Sequence, residues 1–425
     1  MKRVLIIVYY WPPSGGAGVQ RWLKFAKYLP NYNWQPVIYT PENPDFKLQD
    51  ENLLSEIPSE AEVIKRPIWE PYSTYRKLFG KSEEKDLSTG VMKKEGLKSK
   101  IANWLRGNLF IPDPKVFWRK PSVKYLKEYL KEHPVDLIIS SGTPHSMHLI
   151  AMDLKRELGL KWIADFRDPW TELDMLEEYH ISSSSFKKYR NYEKEVLDTA
   201  DLCITTSKVW AKDFERLGAA RCECITNGYD ESDFENSVEP YKDFVISHFG
   251  LLNHMRNPST LWEALEEMLN EDPDFKNSFK LHLGGTIDGE IIKEIEGYPN
   301  LSSSLKVFPY ISHEEVITEY QRSSLLLLLL FNSKSGRGNI PGKLFEYLAS
   351  EKAILAFGPD RGDSAEIVEE NGGKYFLYSS KDKESIKAAL NSLIAQGHPS
   401  KSSSKQYSRE KLTAKLAAYL DQLSA

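Results

Sequence analysis

Cysteine is scarce in this sequence, with three among 425 residues. So small and odd a number supplies no disulfide framework and points to a reducing compartment. Cys222 and Cys224 form a lone C-x-C with no second ligand pair nearby, so strand cysteines are a better expectation than a zinc site. A long apolar run is also missing. The longest, residues 325–331, is far short of the roughly 20 residues that a membrane span needs, and it reads as a buried strand. Residues 1–11 imitate the start of a signal peptide. They run into Pro12-Pro13-Ser14-Gly15-Gly16 with no small-residue cleavage site, as a first β-strand would. Nor is there an excess of positive charge. A net charge of −5 and a pI near 6.1 exclude the global basic signature of a nucleic-acid partner.

What remains is a globular composition, 41% hydrophobic and 28% charged, at a length that suits two or three domains. Apolar, β-branched runs at 4–10, 37–40, 137–140, 162–165 and 202–205 read as strands. Helical spacing of apolar residues at 19–29 and 147–158 falls between them. The rhythm restarts at 243–250 and continues with strands at 280–283, 306–308, 325–331 and 353–357. Such β-α-β alternation implies α/β architecture, each parallel sheet covered by helices on both faces. The polar stretch 231–242, with Pro240, is the natural linker. The expectation is therefore two Rossmann-like doubly wound domains, 1–230 and 231–405, with strand C-terminal ends facing a central cleft. In 406–425 a stripe of Leu412, Leu416, Tyr419, Leu420 and Leu423 predicts a final helix that returns to the first domain.

Residues 71–121 break the rhythm. Charged runs at 81–86, 93–94 and 98–100 precede an amphipathic piece with Ile101, Trp104, Leu105 and Leu109. Basic, Trp-bearing helices suit an anionic membrane surface, and packing on their own domain is the competing reading.

Chemistry concentrates at five places. In Gly338-Asn-Ile-Pro341-Gly342-Lys343-Leu344-Phe-Glu346, glycines and a proline lead into a helix that sets Lys343 and Glu346 on one face. Free N–H groups at a helix start suit an anion, so Lys343 fits a phosphate and Glu346 a pair of sugar hydroxyls. A basic loop with Arg337 precedes it. Arg256, after the strand ending at Gly250, is a natural diphosphate clamp because its guanidinium matches phosphate oxygens in a fork. Gly15, Gly16 and Gly18 open the first helix and permit close anion or acceptor approach. Arg21 stands where a dinucleotide fingerprint needs its third glycine, which disfavours a nicotinamide enzyme. His145 leaves a strand end in Ser140-Ser-Gly-Thr-Pro-His145, aimed at the cleft. Asp165, Arg167 and Asp168 end an apolar strand, where charge is costly unless paired or liganded; a simple pairing of Arg167 with Asp165 or Asp168 is the bland reading, and it is compatible with a site because a paired carboxylate still receives an acceptor hydroxyl. Asp272-Pro-Asp274 reads as a turn rather than a metal site.

Taken together these motifs resemble GT-B fold glycosyltransferases of the large retaining family four. Asn227-Gly-Tyr-Asp230 with Phe234, Phe249-Gly250 through Arg256-Asn257-Pro258, and Pro341-Gly-Lys343-Leu-Phe-Glu346 follow its signatures. Thr143-Pro-His145-Ser with Ala164-Asp-Phe-Arg-Asp168-Pro-Trp170 resembles a bacterial subgroup. The resemblance implies retaining transfer from a nucleoside-diphosphate sugar, UDP favoured over GDP, to a cell-envelope, capsular or lipid-linked glycan. It implies catalytic roles for Arg256, Lys343, His145, Asp165 and Asp168. Donor contacts fall at Gly16, Gly250, Asn257, Gly284, Tyr310, Arg337, Pro341, Gly342, Leu344 and Glu346, and acceptor-side contacts at Gly15, Gly18 and Arg167. With two cations on the leaving diphosphate no metal cofactor is required. The implied setting is the cytoplasm, peripheral on the inner membrane. Two departures stand out: Gly338 occupies the place of the family's first glutamate, and Leu251 the place of an arginine. A nucleotide-sugar epimerase of the same fold and a non-catalytic sugar-nucleotide binder stay open as alternatives.

Overall fold

The computed structural model describes residues 1–46, 48–71, 97–236, 238–309, 311–396 and 404–425. It forms two compact units. One holds the described residues up to Asn227 together with Arg409–Ala425, and the other is Gly228–Ser408.

The first unit is a parallel seven-stranded sheet. Its strands are β1 (Lys2–Ile7), β2 (Trp34–Pro41), β3 (Glu62–Arg66), β4 (Leu137–Gly142), β5 (Lys161–Phe166), β6 (Leu202–Thr205) and β7 (Cys222–Cys224). They lie in the order β3-β2-β1-β4-β5-β6-β7. Val4, Leu5, Ile6 and Ile7 are all buried, because both faces of the sheet are covered and an unbroken apolar run is what such a strand needs. Leu5 and Ile7 join a core with Val123, Leu126, Met147 and Tyr189 from three helices. Val4 and Ile6 join the opposite core, with Trp22 and Phe25 of the first helix and Leu412, Leu416 and Leu420 of the last. The last helix, Arg409–Ser424, is tied down further. Lys2 Nζ reaches Asp421 at 3.0 Å, Trp34 Nε1 donates to Asp421 at 3.2 Å, and Tyr419 Oη donates to Glu223 at 2.9 Å.

The second unit is a parallel six-stranded sheet of β8 (Phe244–Phe249), β9 (Phe279–Gly284), β10 (Leu305–Val307), β11 (Leu325–Leu329), β12 (Ala353–Gly358) and β13 (Lys374–Leu377). The order is β10-β9-β8-β11-β12-β13. The leucine run of β11 divides between two cores, Leu325, Leu327 and Leu329 on one face and Leu326 and Leu328 on the other. Both sheets step outward from their first strand and then restart on its other side. Loops leaving the C-terminal ends of β1 and β4, and of β8 and β11, therefore part at a switch point, where open α/β sheets bind ligands.

The structure answers several sequence expectations, amending some and agreeing with the strand placement of the C-x-C cysteines. The stretch 231–242 is not a bare linker: Tyr241 donates its backbone N–H to Arg322 and its hydroxyl to Glu319, both within the second unit. The C-x-C segment is edge strand β7, where Cys222 faces Cys203 in register and none of the three cysteines is in a disulfide. Asp272 is a helix cap, accepting from the N–H groups of Asp274 and Phe275. The charged residues at 81–86 and 93–94 lie outside the described residues. The Leu97–Leu109 helix packs inward through Gly107 and Asn108 on the 179–180 turn and turns Trp104 and Leu109 to solvent. No described helix is long and apolar enough to cross a membrane.

Candidate functional site

In the second unit, Lys343 lies on the Gly342–Ala349 helix that follows β11, and Arg256 lies in the loop that follows β8. The helix begins after Pro341 with no side-chain cap, so its first amides keep their anion-binding capacity. Lys343 Nζ donates to the Phe249 carbonyl at 2.9 Å. Its pKa is pushed down to about 8, first by burial, then by Arg256, with Glu346 opposing. Burial also lowers the Arg256 pKa, and its Nε is buried without a hydrogen-bond partner. The guanidinium lies over the Phe331 ring, 5.5 Å from the centroid. Neither cation has a carboxylate ion-pair partner among the described residues. Two desolvated like charges kept side by side without a counter-ion are unfavourable unless an anion joins them.

The glycines of this site make room for it. Gly250 has φ 155°, and a Cβ there would sit 2.2 Å from Lys343 Nζ. Gly284 ends β9 and passes its carbonyl to the Gly250 N–H at 2.8 Å, and a Cβ would strike the Phe249 ring at 2.4 Å. A Cβ on Gly342 would meet nothing, so the approach to the helix start is open. Glu346 faces out half-buried and is met by His313 Nε2 at 3.2 Å. Arg337 is solvent-exposed in the short turn Lys334–Gly338.

Two expected donor contacts are corrected. Asn257 is occupied at both ends: its amide donates to Ser259 and Glu294 while its oxygen accepts from Trp262 Nε1, so it holds the start of a helix. Leu344 buries its side chain in the core and turns its N–H to Pro341. Tyr310 lies outside the described residues.

In the first unit the loops after β1, β4 and β5 emerge at one sheet edge. Ser141 pairs in register with Asp165, and Ile7 with Ser140. Arg167 joins these loops: its guanidinium donates to the carbonyls of Gly18, Gly142 and Thr143 and stands over Tyr10. It forms no ion pair with Asp165 or Asp168, so the bland pairing reading does not hold. A Cβ on Gly18 would press on Tyr10 and on Arg167, and one on Gly15 would meet Leu48 at 2.9 Å. Gly16 is exposed, with φ 81°, and opens the Ala17–Tyr28 helix without a side-chain cap.

His145 stacks on Trp170, ring centroids 4.4 Å apart and planes within 4°. Burial above all, aided by His148 and Arg167, presses its pKa well below the usual range, and Nδ1 has no partner. Asp168 keeps one long hydrogen bond, from Thr143 Oγ1 at 3.4 Å, and burial raises its pKa against the pull of Arg167. A neutral imidazole and an under-bonded carboxyl are suitable partners for hydroxyl groups.

Asp165 does not join them. It has 0% exposure and accepts from Arg21, from Trp22 Nε1 at 2.8 Å and from Ser141 Oγ at 2.7 Å. Arg21 in turn donates to the carbonyls of Ile225 and Thr226. The network is closed, so Asp165 has no free position for the catalytic role expected of it.

Two family models span most of the chain. Glycosyltransferase Family 4 matches residues 94–233, and Glycosyl transferases group 1 matches residues 230–411. The chain belongs to the GT-B glycosyltransferases of the family-four type. Its group-1 half makes it a glycosyltransferase that draws on a nucleoside-diphosphate sugar. The glycosyltransferase shares its fold with a UDP-forming α,α-trehalose-phosphate synthase from Burkholderia xenovorans (TM-score 0.62, 11% identity, 100% of each chain covered). It is also similar to Anabaena HepE in complex with UDP (0.54, 14% identity, 100% and 97% covered). A third is a sucrose-phosphate synthase from Thermosynechococcus elongatus (0.54, 13% identity, 100% and 96% covered). No curated protein sequence matches the glycosyltransferase significantly.

Three residues of these sites were missed by sequence reasoning. Arg21 gave itself away only as a broken fingerprint, because its partner is 144 positions distant. His313 starts a helix behind a Ser312–Glu315 capping box, a signal for the helix but not for Glu346. His248 is hidden in an apolar strand and reads as core.

Proposed function

We propose that this glycosyltransferase moves a sugar from a UDP-sugar to a cell-envelope, capsular or lipid-linked glycan, with retention of anomeric configuration and without a metal. The carrying observation is the unpaired couple Arg256 and Lys343 beside an uncapped helix start. In this reading the two cations stabilise charge developing on the leaving diphosphate, and the departing phosphate oxygen takes the acceptor's proton on the same face. Glu346 takes the ribose hydroxyls, Gly250, Gly284, Pro341 and Gly342 let the protein backbone approach the donor, and Arg337 is within the loop that meets phosphate. His145 and Asp168 serve hydroxyl groups on the acceptor side, where Gly15, Gly18 and Arg167 shape the loops. UDP is preferred over GDP because two of the similar structures are described as UDP-bound or UDP-forming.

The same proposal places the protein at the cytoplasmic face of the inner membrane. Trp69 and Phe117 are 56% and 45% exposed and pack edge-on at 5.0 Å, with Phe110 against Phe117. Exposed Lys65, Arg66 and Lys120 flank them in sequence, which suits an anionic lipid surface.

Thermal-shift titration with UDP, GDP, ADP and NAD, on wild type and Glu346→Ala, tests the donor site. A shift with UDP that the variant loses is expected. No shift with any diphosphate would remove the donor reading, and turnover of a UDP-sugar without acceptor would replace transfer by epimerisation.

A further inference from the structure

Strand β8 carries a histidine inside an apolar run. His248 has no exposed surface, and its Nδ1 lies 2.8 Å from the Leu327 carbonyl of neighbouring β11. A carbonyl oxygen only accepts, so Nδ1 carries the proton. Burial holds the ring pKa down at about 3, with Lys343 and Arg256 adding to the effect and the backbone of Leu327 and Leu251 opposing it, so the imidazole is neutral and Nε2 presents a lone pair. That lone pair is buried and has no hydrogen-bond partner. Buried acceptors are seldom left so without a reason.

Its neighbourhood supplies one. The point a Gly250 Cβ would occupy is 3.7 Å from His248 Nε2 and 2.2 Å from Lys343 Nζ, so both groups converge above the same glycine. The Lys343 ammonium has three N–H donors, and the Phe249 carbonyl takes one. The charged groups facing it are Arg256, from the loop after β8, and Glu346, on its own helix. A carboxylate in place of His248 would steady the ammonium but cancel the charge that a diphosphate needs. A neutral imidazole steadies it and leaves the charge intact.

We propose that His248 is a positioning residue of the phosphate site, its Nε2 receiving an N–H of the Lys343 ammonium when a bound diphosphate draws that ammonium into place. This rests on the reading of Arg256 and Lys343 as diphosphate ligands.

Substitution separates the two ring nitrogens. His248→Asn keeps a donor for the Leu327 carbonyl and removes the acceptor toward Lys343. His248→Gln carries an amide oxygen out to the Nε2 position. The measurement is UDP affinity by calorimetry on the full chain across the alkaline range, with Lys343→Ala alongside. For His248→Asn, UDP binding is expected to weaken roughly tenfold, the loss of one hydrogen bond to a charged group. The pH at which binding fades is expected to move downward, because the ammonium has lost an acceptor. His248→Gln is expected to stay within about threefold of wild type, with the alkaline limb restored. Wild-type affinity and an unmoved limb in His248→Asn, while Lys343→Ala loses UDP binding, would reduce His248 to packing. Unchanged UDP binding in Lys343→Ala would instead overturn the diphosphate reading beneath the proposal. Should His248→Asn fail to fold in a thermal melt, His248→Gln decides: a displaced limb there overturns the idea.

Discussion

The two units repeat one topology but treat buried arginine in opposite ways. In the first, Arg21 is 1% exposed and meets Asp165 at 2.9 Å, and Trp22 and Ser141 donate to the same carboxylate. In the second, Arg256 and Lys343 are desolvated and, among the described residues, neither is in ion-pair contact with a carboxylate, Glu346 acting on Lys343 only from a distance. The first arrangement is complete by itself, and the second is complete only with an anion. Charge at a strand end is thus no indicator of function until its partners are counted.

Breaking the closed network should give the largest effect. Arg21→Ala strands Asp165 in the interior and is expected to cost about 3–5 kcal/mol of stability, read as the shift of the first unit's unfolding transition in urea. A loss below about 1 kcal/mol would show the pair to be no more than a surface-like bridge. The open site should respond the other way. Lys343→Ala and Arg256→Ala are expected to reduce turnover roughly 10²-fold, as loss of an oxyanion donor does, with an unchanged or higher melting temperature because an unpaired buried charge is gone. A drop under about threefold in both variants would erase the contrast between the units.

The smallest of the three effects is set by pH. The folded pKa of Lys343, about 8, is below the usual 10.5, so its burial opposes folding at lower pH, and this penalty fades as pH rises between those values. Anion binding has the opposite sign, since it favours the protonated ammonium. UDP affinity should be flat below pH 8 and weaken about tenfold by pH 9, and Lys343→Met should flatten that limb. A wild-type limb that stays level through pH 9 would mean that the ammonium keeps its proton and is less desolvated than its burial implies.

The doubly wound order was legible because β1, β4, β8 and β11 each carry an apolar run buried on both faces of its sheet. Strands β3 and β13 escaped notice because they sit at sheet edges, where Glu62, Lys65, Arg66 and Lys374 interrupt the apolar pattern. At the site, Lys343 and Glu346 were readable from local helical spacing. Asp165 and Asp168 were not separable, since only the distant Arg21 and Trp22 distinguish them. Asn257 misled for the same reason, because Glu294 and Trp262 claim it across space. His248 had only Ser247 beside it to mark it in an otherwise apolar strand, and its meaning arises from a glycine and a lysine brought beside it by the fold.

The return of the Arg409–Ser424 helix to the first unit has a consequence for synthesis. Leu412, Leu416 and Leu420 fill the same core as Val4 and Ile6, yet they are translated after the whole of Gly228–Ser408. A nascent chain halted at Ser408 has a finished second unit and a first unit with an unsealed apolar face. Termination before Arg409 therefore leaves a product that chaperones and proteases can recognise, and the first unit is sealed only once Arg409–Ser424 has left the ribosome.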